Sequence, residues 1–151
     1  MKKDALILLA VLAVIAVTAG GVVAMNTRGF RNNNPGNLRG PTPWQGRVGT
    51  DPEDFAIFSS MEYGVRALRV DLTAKLNRGL DTVRKIISVY APPSDNNPTA
   101  TYIRKVSEWM GVNADQRLTP ADLPGLVDGI IRFEQGGPLQ AAIIKAGLAL
   151  A

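Results

Sequence analysis

TPADLPGLVDGIIRFEQGG, residues 119–137, sets the character of the chain. Leu123, Val127 and Ile130 are spaced by four and three, so they share one face of a helix. Thr119-Pro120-x-Asp122 reads as the opening of that helix, which runs to about Glu134 before Gly136-Gly137. One further step of four from Ile130 reaches Glu134, which therefore continues the apolar stripe in the last turn. A carboxyl there is expected to be partly desolvated and close to the negative end of the helix dipole; both effects favour its neutral form. A general acid needs that state near neutral pH. The glycine pair beyond Gln135 would leave open space for a substrate. The plain alternative is a solvated glutamate at a frayed helix end.

Working outward, the rest of the chain after residue 25 is expected to be mainly α with a small β element. Asn26 to Thr50 is dense in Asn, Gly and Pro, and Asn34-Pro35-Gly36-Asn37 is a turn signal. Leu38, Trp44 and Val48 mark short strands, and Phe55 to Phe58 another. From Ser59 the period becomes helical: Ser59-x-x-Glu62 has the form of a capping box, and Val65, Leu68, Leu72 and Leu76 follow. A second helix is expected over Thr82 to Tyr90, with Val83, Ile86, Ile87 and Tyr90 inward. A third opens at Asn97-Pro98, with Tyr102, Val106 and Trp109 on one face and Gly111 as its stop. The last helix runs from Leu139 to Leu150.

Residues 1–25 are unlike the remainder. Lys2 and Lys3 precede an uncharged stretch, Ala5 to Met25, long enough to span a bilayer as one helix. Two readings stand: a permanent N-terminal transmembrane anchor, or a signal peptide with small residues near Ala19 or Ala24. Residues 26–151 then form one domain, enough chain for a single core. With the anchor, the protein is membrane-bound through residues 5–25, its domain facing the periplasm or cell wall, or seated in a virion membrane.

Absences narrow the chemistry. The chain has no histidine and no cysteine, which rules out a Ser-His-Asp triad, a Cys-His pair and disulfides within it. Catalytic zinc draws on the same residues, so neither a metal site nor a cofactor is expected. Proton chemistry must run on carboxylates, Tyr, Lys or Arg. The net charge of +4 suits an anionic partner. Without a dense basic stripe interleaved with aromatics, nucleic acid is not the expected one.

Glu134 and Glu62 are the catalytic candidates. Glu62 sits at a helix start, where the dipole suits an anion rather than a proton donor, so a capping role competes with a catalytic one. Asp51, Glu53 and Asp54 offer a second carboxylate if one faces Glu134, and otherwise form a solvated turn. Asn34, Asn37, Trp44, Gln45, Asn97 and Tyr102 are the candidate substrate-binding residues. Amides both donate and accept toward sugar hydroxyls and acetamides, and an exposed tryptophan stacks on a sugar ring. The alternative for Trp44 is a plug in the small sheet.

The stretch from Arg28 through Asn32-Asn33-Asn34-Pro35-Gly36-Asn37 to Arg39, then Trp44-Gln45-Gly46 and Phe55-x-x-Phe58, resembles phage and prophage lysozyme-like proteins that degrade peptidoglycan, virion-associated or lytic. Gly64-Val65-Arg66-Ala67, Asn97-x-Thr99-x-x-Tyr102 and Phe133-Glu134-x-Gly136 fit the same pattern. The chain is also similar to bacterial glucosaminidases of the lysozyme superfamily, in which a helix ending in Glu-x-Gly precedes the Asn-rich turn. Here that helix comes last, so the resemblance implies a circularly permuted lysozyme-like α+β fold with the acid at Glu134. It implies cleavage of the β-1,4 bond between N-acetylmuramic acid and N-acetylglucosamine, by hydrolysis or lytic transglycosylation, with peptidoglycan as partner. The rival expectation is a non-catalytic, membrane-anchored virion or envelope protein that grips glycan beside other virion proteins.

Overall fold

The computed structural model describes residues 27–151. The apolar segment 5–25, with the anchor and signal-peptide readings, lies outside the described residues. Among the described residues no helix is long and apolar enough to cross a membrane.

The architecture is mainly helical with one two-stranded sheet. A single-turn helix α1 (Arg28–Arg31) leads into the Asn-rich loop, then strands β1 (Arg47–Thr50) and β2 (Ala56–Phe58), then helices α2 (Met61–Asn77), α3 (Val83–Tyr90), α4 (Thr99–Met110), α5 (Leu123–Gln135) and α6 (Ala141–Ala149). The strands pair antiparallel with Arg47 opposite Phe58 and Thr50 opposite Ala56, and the register is interrupted between Arg47 and Gly49. Arg39 forms an isolated bridge to Phe55. Leu38 and Trp44 lie outside the strands, because turns at Gly40 and Gly46, both at positive φ, break the chain there.

Helix α2 is the hub, packing on α6, α5 and β2, while α4 packs on α5 and α3. Two glycines allow its closest approaches. A Cβ on Gly64 would fall 2.0 Å from the Asn33 carbonyl, and one on Gly147 would fall 2.5 Å from Val65 Cβ. The Asn-rich loop and α6 can therefore lie directly on α2. Val65, Leu68 and Leu72 from α2 share the core with Leu126, Val127, Ile130 and Ile131 of α5. Each such side chain contributes about 1.5–3 kcal/mol when fully buried.

Several boundaries differ from the sequence reading. The N-cap of α2 is Ser60, whose hydroxyl accepts from Tyr63 N, whereas Ser59 N is bonded to Gly46 O, just ahead of β1. Glu62 is therefore the second helical residue. The N-cap of α4 is Pro98, not Asn97, because the Asn97 amide turns back to Pro92 O at 3.0 Å. Trp109 is exposed: the buried face of α4 runs through Tyr102, Ile103, Val106 and Ser107, and Met110 rather than Trp109 continues it. A 3-10 turn at Pro120–Asp122 precedes α5, with Thr119 and Asp122 capping each other. Helix α6 begins at Ala141, two residues beyond the expected Leu139.

Candidate functional site

Helix α5 carries its stripe on two adjacent rows, and both reach its last turn. Ile130 plus four is Glu134, and Ile131 plus four is Gln135. Gly136, at φ 73, ends the helix in the left-handed conformation. Glu134 is half-buried and Gln135 wholly buried.

Both oxygens of Glu134 are engaged. Tyr102 on α4 donates its hydroxyl to Oε1 at 2.8 Å, and Asn37 donates Nδ2 to Oε2 at 2.8 Å. The Tyr102 ring stacks on Phe133, with centroids 3.7 Å apart and planes 13° from parallel. Burial raises the Glu134 pKa above its ordinary value, and the bonds from Asn37 and Tyr102, which favour the charged form, oppose that rise without cancelling it. Burial foremost, then the charge of Glu134, pushes the phenols of Tyr102 and Tyr90 well above their usual value. Both stay protonated as donors at neutral pH.

Each asparagine of the loop has its own task. Asn34 is buried and spends its amide on the loop, donating to Leu38 O and Ala56 O and accepting from Leu38 N, each at 2.9 Å. It braces the turn, with both amide hydrogens spent within the loop and the hairpin. Asn33 donates to Phe58 O, and Asn32 to Asp51 Oδ2. Asn37 alone turns toward Glu134. Its Oδ1 is buried without a hydrogen-bond partner.

The remaining candidates lie apart from this group or serve the fold. Trp44 is half-buried against the core, 6.2 Å from Phe58 by ring centroid, with Arg47 over its ring at 5.8 Å. It acts as the plug of the sheet. Gln45 is exposed, and Asn97 closes the turn before α4. Glu62 is half-buried at the start of α2, its carbonyl beside Gly147 of α6. Of the acidic turn, Asp51 accepts from Phe55 N, Glu53 N and Asn32 and pairs with Arg28 at 3.5 Å. Burial raises its pKa, but those bonds and the Arg28 charge outweigh it, so Asp51 is held below its ordinary value. It is a fastening for the hairpin, not a proton donor.

Gln135 escaped the sequence reading. It accepts from Thr27 Oγ1 and donates to Pro35 O at 2.7 Å, joining α1, the Asn-rich loop and α5. A Cβ on Gly29 would strike it at 2.1 Å. The spacing of four from Ile131 is the signal that finds it. Two hollows of about 490 and 370 Å³ lie elsewhere, one beside Ile103, Ser107 and Arg84, the other between α5 and α6, and Glu134 lines neither.

Fold and site together define a small helical domain, braced by a two-stranded ribbon, that offers one half-buried carboxyl at a helix end between a phenol and an amide. No family profile matches the sequence. The chain is 33% identical over 128 residues to Protein P5 of Pseudoalteromonas phage PM2, a match covering 80% of this chain and 79% of that protein. It belongs to the family of that phage protein, which supports the phage side of the resemblance drawn from its motifs.

Proposed function

We propose that the domain cleaves the glycan strand of peptidoglycan at the β-1,4 bond between N-acetylmuramic acid and N-acetylglucosamine, with Glu134 as the proton donor. The observation that carries this reading is the Glu134 carboxyl itself: raised in pKa by burial, still partly accessible, and oriented at both oxygens by Tyr102 and Asn37. In a chain without histidine or cysteine it is the group best suited to donate a proton near neutral pH. Asp51, the carboxyl of the acidic turn that several bonds fix, faces Asn32 and Arg28 instead. A single acid favours lytic transglycosylation. Glu134 gives its proton to the bridging oxygen as the bond to the muramic C1 breaks. The carboxylate then takes the proton of the C6 hydroxyl as O6 bonds to C1, and the acid is restored.

In this reading residues 5–25 anchor the protein in a membrane, with the domain facing the cell wall in the periplasm or on a virion. Zymography on purified peptidoglycan tests the activity, and mass spectrometry of the products tests the route. The wild-type chain should clear the gel and leave anhydro ends, and Glu134→Gln should abolish clearing while keeping the fold. Clearing by the variant at the wild-type rate would remove Glu134 from the chemistry.

A second reading has its own support. Both Glu134 oxygens are already bonded within the protein, and neither of the two hollows borders it. A non-catalytic, membrane-anchored virion or envelope protein that binds glycan would use the same carboxyl as a joint between α4, α5 and the loop. A folded wild-type chain that pulls down peptidoglycan without releasing fragments would establish it.

A further inference from the structure

Tyr90 closes α3, and in the sequence it is one more inward-facing residue. In the structure its hydroxyl donates to the Gly36 carbonyl. Its ring lies 5.6 Å from Lys75 Nζ, which is buried and paired with Asp71 at 2.5 Å. Gly36 immediately precedes Asn37. A Cβ on Gly36 would stand 2.9 Å from the Tyr90 oxygen and 3.0 Å from Leu68 Cδ1, so a side chain here would push on the Tyr90 hydroxyl.

Asn37 depends on that support more than its neighbours do. Its φ is 49, in the left-handed region that few residues other than glycine and asparagine adopt. Its amide is fastened at one end only, through Nδ2 to Glu134, because Oδ1 has no partner. Its aim is therefore set by the backbone. On one side Asn34 holds that backbone, accepting from Asn37 N at 3.0 Å and from Leu38 N at 2.9 Å. On the other side Gln135 donates to the Pro35 carbonyl, and Tyr90 to that of Gly36, the residue next to Asn37.

We propose that Tyr90 is a positioning residue for the Glu134 carboxyl: by pinning the Gly36 carbonyl it holds Asn37 in the left-handed conformation from which Asn37 Nδ2 reaches Glu134 Oε2. Its bearing on catalysis rests on Glu134 being the acid; its test reads the carboxyl directly. The bond from Asn37 stabilises the charged form, so loosening it makes Glu134 a weaker acid. The ionisable groups around Glu134 are Tyr102 from α4, Tyr90 from α3, and the Asp71–Lys75 pair of α2 behind Tyr90. On α5 itself Arg132 is paired with Asp128 at 2.7 Å. Tyr90→Phe removes a neutral hydroxyl and leaves every one of these other groups in place.

The experiment is a double-mutant cycle on the full chain. The carboxyl carbon of Glu134 is followed by NMR across its titration in wild type, Tyr90→Phe, Asn37→Gly and the double variant. Glycine accepts the left-handed conformation at position 37, so the loop survives loss of the amide. Asn37→Gly should weaken the acid about two- to tenfold, the worth of one hydrogen bond. Tyr90→Phe should shift the midpoint in the same direction, and in the Asn37→Gly background it should add nothing. An unchanged midpoint in Tyr90→Phe, or an equal shift in both backgrounds, overturns the proposal. If the cycle behaves as expected while wild-type protein leaves peptidoglycan intact, the positioning role stands and the glycan-cleaving reading falls.

Discussion

At the scale of single residues, Gln135 contributes to the fold what Glu134 offers to chemistry. Its amide is buried and bonded at both ends, to Thr27 and to Pro35 O. Gln135→Ala leaves the Pro35 carbonyl and the Thr27 hydroxyl without that partner and opens a void beside Gly29. The loss should be about 1–3 kcal/mol for the unsatisfied groups alone, read as a lower midpoint in urea denaturation. An unchanged midpoint would mean that the loop and α5 are held together elsewhere. The pair also shows what a sequence hides. The apolar spacing identifies both positions, yet nothing in Phe133-Glu134-Gln135 says which polar side chain will meet a loop a hundred residues earlier.

At the scale of elements, the closest helix pair is α2 with α6, made possible by Gly147. An added methyl would meet Val65 Cβ at 2.5 Å and the Glu62 carbonyl at 2.7 Å, both on α2 and neither able to swing away. Gly147→Ala should therefore cost about 1–3 kcal/mol by overpacking, seen as a lower melting temperature. A neutral result would show that α6 can slide. Much of this layer was legible from residue patterns: the helices at Val65, Val83, Tyr102 and Val127, the strand at Phe55 to Phe58, and the glycine stops at Gly111 and Gly136. The unread parts share a cause. Thr27 capping the four-residue α1, Ser60 displacing Ser59, and Asn97 turning back to Pro92 are decided by which of several adjacent capping side chains finds a partner across the fold. Asn34 and Asn37 have the same side chain, and only tertiary placement sends one into the loop and the other to Glu134.

At the scale of the whole molecule, two carboxyls titrate in opposite senses. Glu134 is raised by burial, so the native chain keeps a proton that the unfolded chain releases. Its contribution to stability is full below the unfolded value and is lost as pH rises through the folded one. Asp51 is lowered, so its contribution is present above the unfolded value and is lost as pH falls through the folded one. Unfolding free energies measured from the carboxylate range to neutrality should show wild type losing ground to Glu134→Gln as pH rises. Over the acidic range wild type should gain on Asp51→Asn as pH rises. A flat difference for either pair would contradict the environment assigned to that carboxyl.

The bond between Thr27 and Gln135 also gives the domain a mechanical polarity. Tension applied to the chain ahead of Thr27 would bear on that bond and on the Arg28 contacts with Asp51 and Glu53, because α1 is only one turn long. Peeling that turn would strip Gln135 of its Thr27 partner and leave its bond to the Pro35 carbonyl, one residue along from Glu134.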